Sequence, residues 1–423
     1  MPLTLGQMGN SIQVSDIITK KALALLKNNL VAAPLVYQDH TADFTKMNGD
    51  TITVKKPFRA KTASGRTLVR QPMVDQTTTF TAQYREHFAV SVTDEDLTLT
   101  LDQYAERYLN SGMVQLANVI DKSIIDSLKV GAFFSAGTPA SAVTVDTFHD
   151  AKANMNDVAI PDDGLRSVML NSIDAAAVSK SIYGKYQEGM VKQAIQKGYM
   201  GPIAGFNLYE SANLTTHTVG ALGGTPLANS ATAQTGTAII TDGWSNSTAV
   251  LNAGDVITFD GVYEINPQNY TSTGRLAQFV VTSAVTSNGS GQATINILPA
   301  INDGSLMTVD SEGNTVSLAA YQNVSAAVAN DSAITGKGTT GGIYRQNLAF
   351  HKNACTFAMI DLELPKSFVS KSRVRDPESG LSLSMCSSAD IENMVETTRI
   401  DARWGVKLIY PELAFRIWSS KLN

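Results

Sequence analysis

Cysteine is nearly absent from this chain. Cys355 and Cys386 are its only two, too few for a disulfide framework or a cysteine-ligated zinc site. The five histidines, His40, His87, His149, His217 and His351, are scattered one per region, which is poor ground for a metal site or a catalytic triad. No Gly-x-Ser-x-Gly, His-Glu-x-x-His or Cys-x-x-Cys occurs, so no familiar nucleophile or metalloprotease signature is available. No apolar run reaches the ~18 residues of a membrane-spanning helix. Met1 to Asn10 has neither the basic start nor the apolar core of a signal peptide. Five Asn-x-Ser/Thr sequons (at Asn213, Asn246, Asn269, Asn288 and Asn323) read as chance in a Ser/Thr-rich chain. The simplest expectation is a cytoplasmic protein with no cofactor.

Charge is also scarce. Only 17% of the residues are charged, against 43% hydrophobic, which describes a folded chain and not a disordered one. A net charge of −5 disfavours bulk nucleic-acid coating. The scarcity is concentrated in one place. From Leu214 to Tyr344 there are ten charged residues, eight acidic and two basic (Arg275 and Lys337), so the charged fraction is less than half that of the remainder. Thr, Ser, Gly, Asn and β-branched residues fill this block, with helical periodicity on both sides. It reads as a separate β module interrupting a mixed α+β host, and 423 residues suffice for two or three cores.

The first helix is expected to start at Ser15 as N-cap and to end before Pro34. A hairpin-like arm follows. Asn48-Gly49-Asp50 is a turn signal, Thr51-Ile52-Thr53-Val54 starts a strand, and Thr77 to Val92 returns as one long β-rich run. Between Thr51 and Val74 lie six basic residues, Lys55, Lys56, Arg59, Lys61, Arg66 and Arg70, and no acidic one. A two-stranded ribbon is marginal alone, so this arm must lie on something. Thr100-Leu101-Asp102-Gln103 fits a capping box. Leu101, Tyr104, Tyr108, Leu116, Ile120, Ile124 and Leu128 then hold one helical face until Gly131, a rod of about 45 Å. Thr144 precedes a shorter helix with Phe148, Ala151 and Met155 inward. Gly164 to Leu170 reads as loop and buried strand, Ile173 to Tyr183 as helix, and Gly198 to Gly205 as a connector into the strand Phe206 to Tyr209.

Inside the charge-poor block, Gly254-Asp255 opens the strand Val256 to Phe259. Runs from Gln278 to Val285 and from Ala293 to Leu298 flank Asn288-Gly289, a strong hairpin signal. Short strands with turns every ten or so residues favour a small barrel or sandwich. The run Gly336 to Gly342 reads as a flexible exit linker; as a phosphate loop it fails, because Gly338 stands where Ser or Thr is needed. Asp310 to Asn314 lacks the downstream Glu of a calcium loop and reads as a turn. Asp94-Glu95-Asp96 reads as an acidic helix start. The basic arm is the one constellation with functional weight, as an element that docks on an acidic surface of another subunit; only Phe58 is interleaved, which makes nucleic-acid binding the weaker reading.

This order of elements resembles the major capsid proteins of tailed bacteriophages, the Hong Kong 97-type fold. Within that group it looks most like the coat protein of the short-tailed Salmonella phages, which carry an inserted β-barrel. The residues carrying the resemblance are spread along the chain: Thr144-Val145-Asp146 with Phe148 and Ala151, Ile160-Pro161 to Leu170, Gly198 to Ser211, Gly254 to Val262, Arg399-Ile400-Asp401, Gly405-Val406-Lys407 and Pro411 to Ala414. The resemblance implies an α+β fold with an N-terminal arm and helix (1–45), an extended basic β-hairpin loop with peripheral strands (46–99) and a spine helix in a peripheral domain (100–143). An axial domain (144–213), an inserted small all-β barrel (214–344) and axial and peripheral return strands (345–423) complete it. It implies a non-enzymatic coat protein assembled in the bacterial host cytoplasm into pentamers and hexamers of an icosahedral procapsid. Scaffolding protein and a portal protein would be its partners, and double-stranded DNA would be enclosed without sequence-specific binding. Expansion of the shell would rotate the spine helix. The alternative is a virion or cell-surface β-rich adhesin component, which would leave the long helix and basic arm unexplained.

Overall fold

The computed structural model describes residues 10–422 apart from 41–49, 63, 67, 69–75, 94–108, 183–201, 310–314, 365–369, 378, 391 and 393–394. Two compact units divide the chain: residues 1–54, 79–125 and 355–407 form the first, and 55–78, 126–354 and 408–423 the second.

In the first unit, α1 (Asn10–Asn29) packs on the strands Ser370–Arg375 and Ser382–Asp390. It starts earlier than the Ser15 cap that the sequence suggested; serine is only mildly unfavourable inside a helix, so Ser15 is carried through. Ala22, Leu23 and Leu26 form its buried stripe, and Lys27 pairs with Asp376 at 2.7 Å. The long strand Val395–Leu408 pairs with Ser382–Asp390 on one side and with Tyr84–Thr93 over ten residues, Val395↔Thr93 to Trp404↔Tyr84. The run from Thr77 to Val92, read as one strand, is therefore two. Thr77–Thr81 pairs with Thr51–Lys55, and the chain breaks at Ala82-Gln83. The break has a physical cause. Phe80 and Ala82 are buried, Arg403 donates to the Ala82 carbonyl at 3.2 Å, and Gly405 allows the approach, since a Cβ there would lie 2.7 Å from the Thr81 oxygen.

Helix α2 (Asn110–Gly131) is the described part of the predicted rod, about 33 Å at 1.5 Å per residue. Met113, Leu116, Ala117, Ile120, Ile124 and Leu128 are buried along it. Leu101, Tyr104 and Tyr108 lie outside the described residues. In the first unit its Asp121 carboxylate accepts the N–H groups of Val31, Ala32 and Ala33 at 2.7, 3.0 and 3.3 Å, capping the short turn Ala33–Leu35. Burial outweighs those bonds and pushes the Asp121 carboxyl up to about 6.

The second unit is built on a mixed sheet in the order Phe134–Ala136, Ala414–Lys421, Ile343–His351, Arg166–Leu170, Asn207–Glu210, with Thr216–Thr218 paired to Ile343–His351. Two helices pack against it, α3 (Val145–Asp157) and α4 (Ser172–Ile182). As the sequence suggested, Phe148, Ala151 and Met155 face the core; Thr144 is the N-cap of α3, its N–H reaching Thr147 Oγ1 at 3.3 Å.

The chain leaves this sheet after Thr216–Thr218 and returns to it at Ile343. Between the two lies a six-stranded antiparallel sheet: Ile334–Gly336, Val256–Ile265, Ser272–Val281, Ala293–Ile301, Gly236–Trp244, Gly224–Ala228. Its two edges meet. Leu227 bridges Ala333, the Ala228 N–H reaches the Ser332 carbonyl at 2.9 Å, and the Asp331 N–H reaches the Ala228 carbonyl at 2.9 Å. Ile239, Trp244, Phe259, Phe279, Ile295 and Val328 fill the interior. Val256 to Phe259 is buried without alternation because both its faces are covered. Ile257 and Phe259 point into the module, while Val256 packs with Val219, Tyr344 and Trp418 of the supporting sheet.

Two turn readings change. The left-handed glycine of the hairpin is Gly291 (φ 73°) and not Gly289, because the Asn288 side chain accepts the Ser290 and Gln292 N–H groups and wraps a wider loop. The segment Gly336 to Gly342 is packed, not a flexible linker. The Lys337 N–H bonds the Val256 carbonyl at 2.8 Å, the Gly342 N–H bonds the Thr339 carbonyl at 2.9 Å, and a Cβ on Gly338 would lie 2.9 Å from Val219. Gly336, Gly338 and Gly342 serve close approach.

Candidate functional site

The basic arm is the first site to place. Within the second unit, residues 56–61 run extended, held at one end by the Lys56 N–H on the Gln76 carbonyl at 2.8 Å. Three of its cations each meet a tyrosine of the same chain. Lys56 Nζ lies 5.4 Å from the Tyr410 ring centroid, the Arg59 guanidinium 6.0 Å from that of Tyr321, and Lys61 Nζ 4.5 Å from that of Tyr270. Arg59 also pairs with Glu412 at 3.2 Å, and its N–H donates to the Tyr321 hydroxyl at 3.4 Å. Burial and the Glu412 charge push the Tyr410 hydroxyl pKa up. Each cation–π contact at such half-exposed sites contributes about 0.5–1 kcal/mol. Phe58, Arg66 and Leu68 are exposed, the last at 78%. Lys55 ends the strand Thr51–Lys55 and is exposed, while Arg70 lies outside the described residues.

The second site is the junction between the module and its supporting sheet. Asp255, buried at the start of the strand Val256–Ile265, accepts the Gly220 and Asn252 N–H groups at 3.0 and 2.7 Å. Its other oxygen lies 2.7 Å from His217 Nε2. Fully buried Arg416 donates to the carbonyls of Gly254 (2.5 Å) and Lys129 (2.6 Å). Burial brings its pKa down to about 10, with Asp255 opposing the shift. Lys129 in turn donates to Thr215 and Thr216.

Both cations of the charge-poor block also sit at this junction. Arg275 pairs with Glu264 and with Asp157 of α3, each at 3.0 Å, and also contacts Asn154. Burial raises the Glu264 pKa, against the pull of Arg275. Lys337 donates to Ser135 at 3.3 Å, and burial, with the Arg275 charge, lowers its pKa.

None of these partners was legible as a site in the sequence. Tyr270, Tyr321 and Tyr410 lie far from the arm along the chain, and His217 and Asp255 passed as a scattered histidine and a turn residue. The one available signal was that Arg275 and Lys337 are the block's only cations. Among the described residues no group of three or more His, Cys, Asp or Glu could hold a metal ion, and no helix is long and apolar enough to cross a membrane.

The sequence matches the family described as P22 coat protein, gene protein 5, over residues 8–415. The chain belongs to the P22 coat protein family. As a member it is a major capsid protein, a structural component of a bacteriophage virion whose copies associate into a shell. Membership indicates a structural role and not a catalytic one. No curated protein matches the sequence. Similar solved structures include that of Mycobacterium phage Che8, at 14% identity and TM-score 0.45, covering 92% of this chain and 90% of that one. The capsid of Ralstonia phage GP4 is similar at 8% identity and TM-score 0.46, covering 93% and 89%. The mature capsid of bacteriophage PhiM1 is similar at 12% identity and TM-score 0.42, covering 100% and 91%.

The two sites have different characters. The arm carries charge to the surface on tyrosine supports, and the junction buries charge between two packed bodies of one unit.

Proposed function

We propose that this coat protein builds the icosahedral procapsid of a tailed, double-stranded DNA phage from pentamers and hexamers with a Hong Kong 97-type fold. Residues 214–344 form an inserted β-barrel in this reading. The observation that carries the insertion is topological: the entry strand Thr216–Thr218 and the exit strand Ile343–His351 pair with each other, at Ile343↔Thr218 and Tyr344↔His217. The meeting of the sheet's two edges supports closure of the barrel. Scaffolding protein would guide assembly, a portal protein would occupy one vertex, and DNA would be packaged before the shell expands. A shell of this kind needs many weak, reversible contacts, because strong ones trap misassembled forms.

The arm's role follows from its two parts. Lys56, Arg59 and Lys61 rest on tyrosines of their own chain, which stiffens the base of the arm. Lys55, Arg66 and Leu68 face outward and would contact an adjacent copy; Arg70 belongs to the same basic run. α2, with Leu116, Ile120, Ile124 and Leu128 buried, would be the spine that rotates in expansion, and Leu101, Tyr104 and Tyr108 would extend it. The module would stabilise its host and guide assembly from the outer face.

Two constructions test the reading. Joining Val219 directly to Gly342 removes the module at a point where the Val219 N–H already bonds the Gly342 carbonyl at 2.9 Å. Shells of normal size and yield from that deletion would remove the assembly-guiding role. Lys55→Glu with Arg66→Glu should lower shell yield while leaving the circular dichroism of the subunit unchanged; wild-type yield would remove the docking role.

A further inference from the structure

Beneath the arm lies a cavity of about 840 Å³, lined entirely by residues of the second unit. That volume is in the range of small-molecule sites, roughly 300–1,000 Å³. Its walls are graded. Phe134, Leu298, Pro299 and Leu318, each only partly buried, give it apolar surface. The side towards solvent carries Lys56 and Arg59, both half-buried, on the strap that crosses it.

The charges around the cavity do not cancel at that edge. Glu264 also lines it, in an ion pair with Arg275, which Asp157 shares. Glu412 is the partner of Arg59, through one guanidinium nitrogen at 3.2 Å. Lys56 has the face of Tyr410 beside it and, among the described residues, no carboxylate in ion-pair range. On the strap itself, Lys56 and Arg59 are two cations facing the single carboxylate of Glu412. Ammonium and guanidinium N–H groups there are open to an anion, and Arg suits carboxylate geometry.

We propose that this cavity is a binding site for a small anionic amphiphile, whose apolar chain lies along Phe134, Leu298, Pro299 and Leu318 and whose carboxylate is held by Lys56 and Arg59. Binding would fasten the strap to the body of the subunit, since the head group bridges residues of the arm while the tail packs against the module. The arm's position would thereby depend on occupancy.

The test uses the full-length chain and saturated fatty carboxylates below their micelle concentrations, with binding followed by calorimetry. Affinity should rise about three- to fourfold for each added methylene from octanoate to dodecanoate. Dodecyltrimethylammonium, with the same tail and the opposite charge, should bind at least tenfold more weakly than dodecanoate. Lys56→Gln with Arg59→Gln should weaken dodecanoate at least tenfold and leave dodecanol unchanged. Ala300→Phe, which adds bulk at the cavity wall, should weaken both. Circular dichroism and the melting temperature of each variant without ligand show that it is folded. Equal affinity for the anionic and cationic heads, no chain-length dependence, or dodecanoate binding unchanged in the double variant would each overturn the proposal.

Discussion

The interior of the module and its junction with the supporting sheet are held by opposite means. Inside, Trp244, Phe259, Phe279 and Ile295 pack as an apolar core. At the junction, Asp255, Arg416, Arg275 and Lys337 are buried or half-buried and bonded across to the other body, through His217, Gly254, Asp157 and Ser135. The difference separates two jobs. Apolar packing is non-directional and strong per area, so it gives the module its own stability. Buried polar contacts add little net stability against a well-packed apolar alternative, but breaking one is costly and their geometry is specific. The core holds these strands to one another; the junction fixes how they sit on the supporting sheet.

The largest expected effect comes from the core. Phe259→Ala should cost about 3–5 kcal/mol by chemical denaturation. Amide protection should fall across 224–336 while Arg166–Leu170 keeps its own, if the module opens as a cooperative unit. Uniform loss through the second unit would break the comparison. Next comes the junction: Asp255→Ala leaves the Gly220 and Asn252 N–H groups without their acceptor and should cost about 2–3 kcal/mol. Its protection loss should fall on Thr216–Thr218 and Ile343–His351, on the far side of the join.

A pH titration then contrasts the module with the first unit, where Asp121 carries a pKa raised to about 6. A carboxyl whose folded pKa is raised favours the folded state when protonated, so that contribution is full at low pH and is lost as pH rises through 6. Stability should therefore increase by about 1 kcal/mol from pH 7 to pH 5 at this site. Asp121→Asn should flatten the slope, and an unchanged slope would place the proton elsewhere. The smallest effect belongs to the arm: Lys61→Gln should cost about 0.5–1 kcal/mol, from loss of the Tyr270 face. A larger loss would mean that the arm depends on more than its tyrosine supports.

What was legible in the sequence was local. The helix after Thr144, with Phe148, Ala151 and Met155 inward, was read correctly as α3, because helix periodicity is read within a dozen residues. The charge drop from Leu214 was legible as composition, since Thr-rich surfaces change composition over long stretches. What escaped depended on partners distant in sequence. The break at Ala82 is set by Arg403 and Gly405, the packing of Gly338 by Val219, and the tyrosine supports by residues more than 200 positions from the arm. No local pattern encodes such pairs. The basic run was visible as charge, but Lys56, Arg59 and Lys61 turn out to rest on tyrosines of their own chain.

Membership of the P22 coat protein family makes self-assembly the central claim, and electron microscopy of the purified full-length protein tests it most directly. With scaffolding protein present, negatively stained fields should contain closed, round shells of uniform diameter. Fields of fibres, trimers or small globules, under conditions where the subunit is folded by circular dichroism, would contradict it.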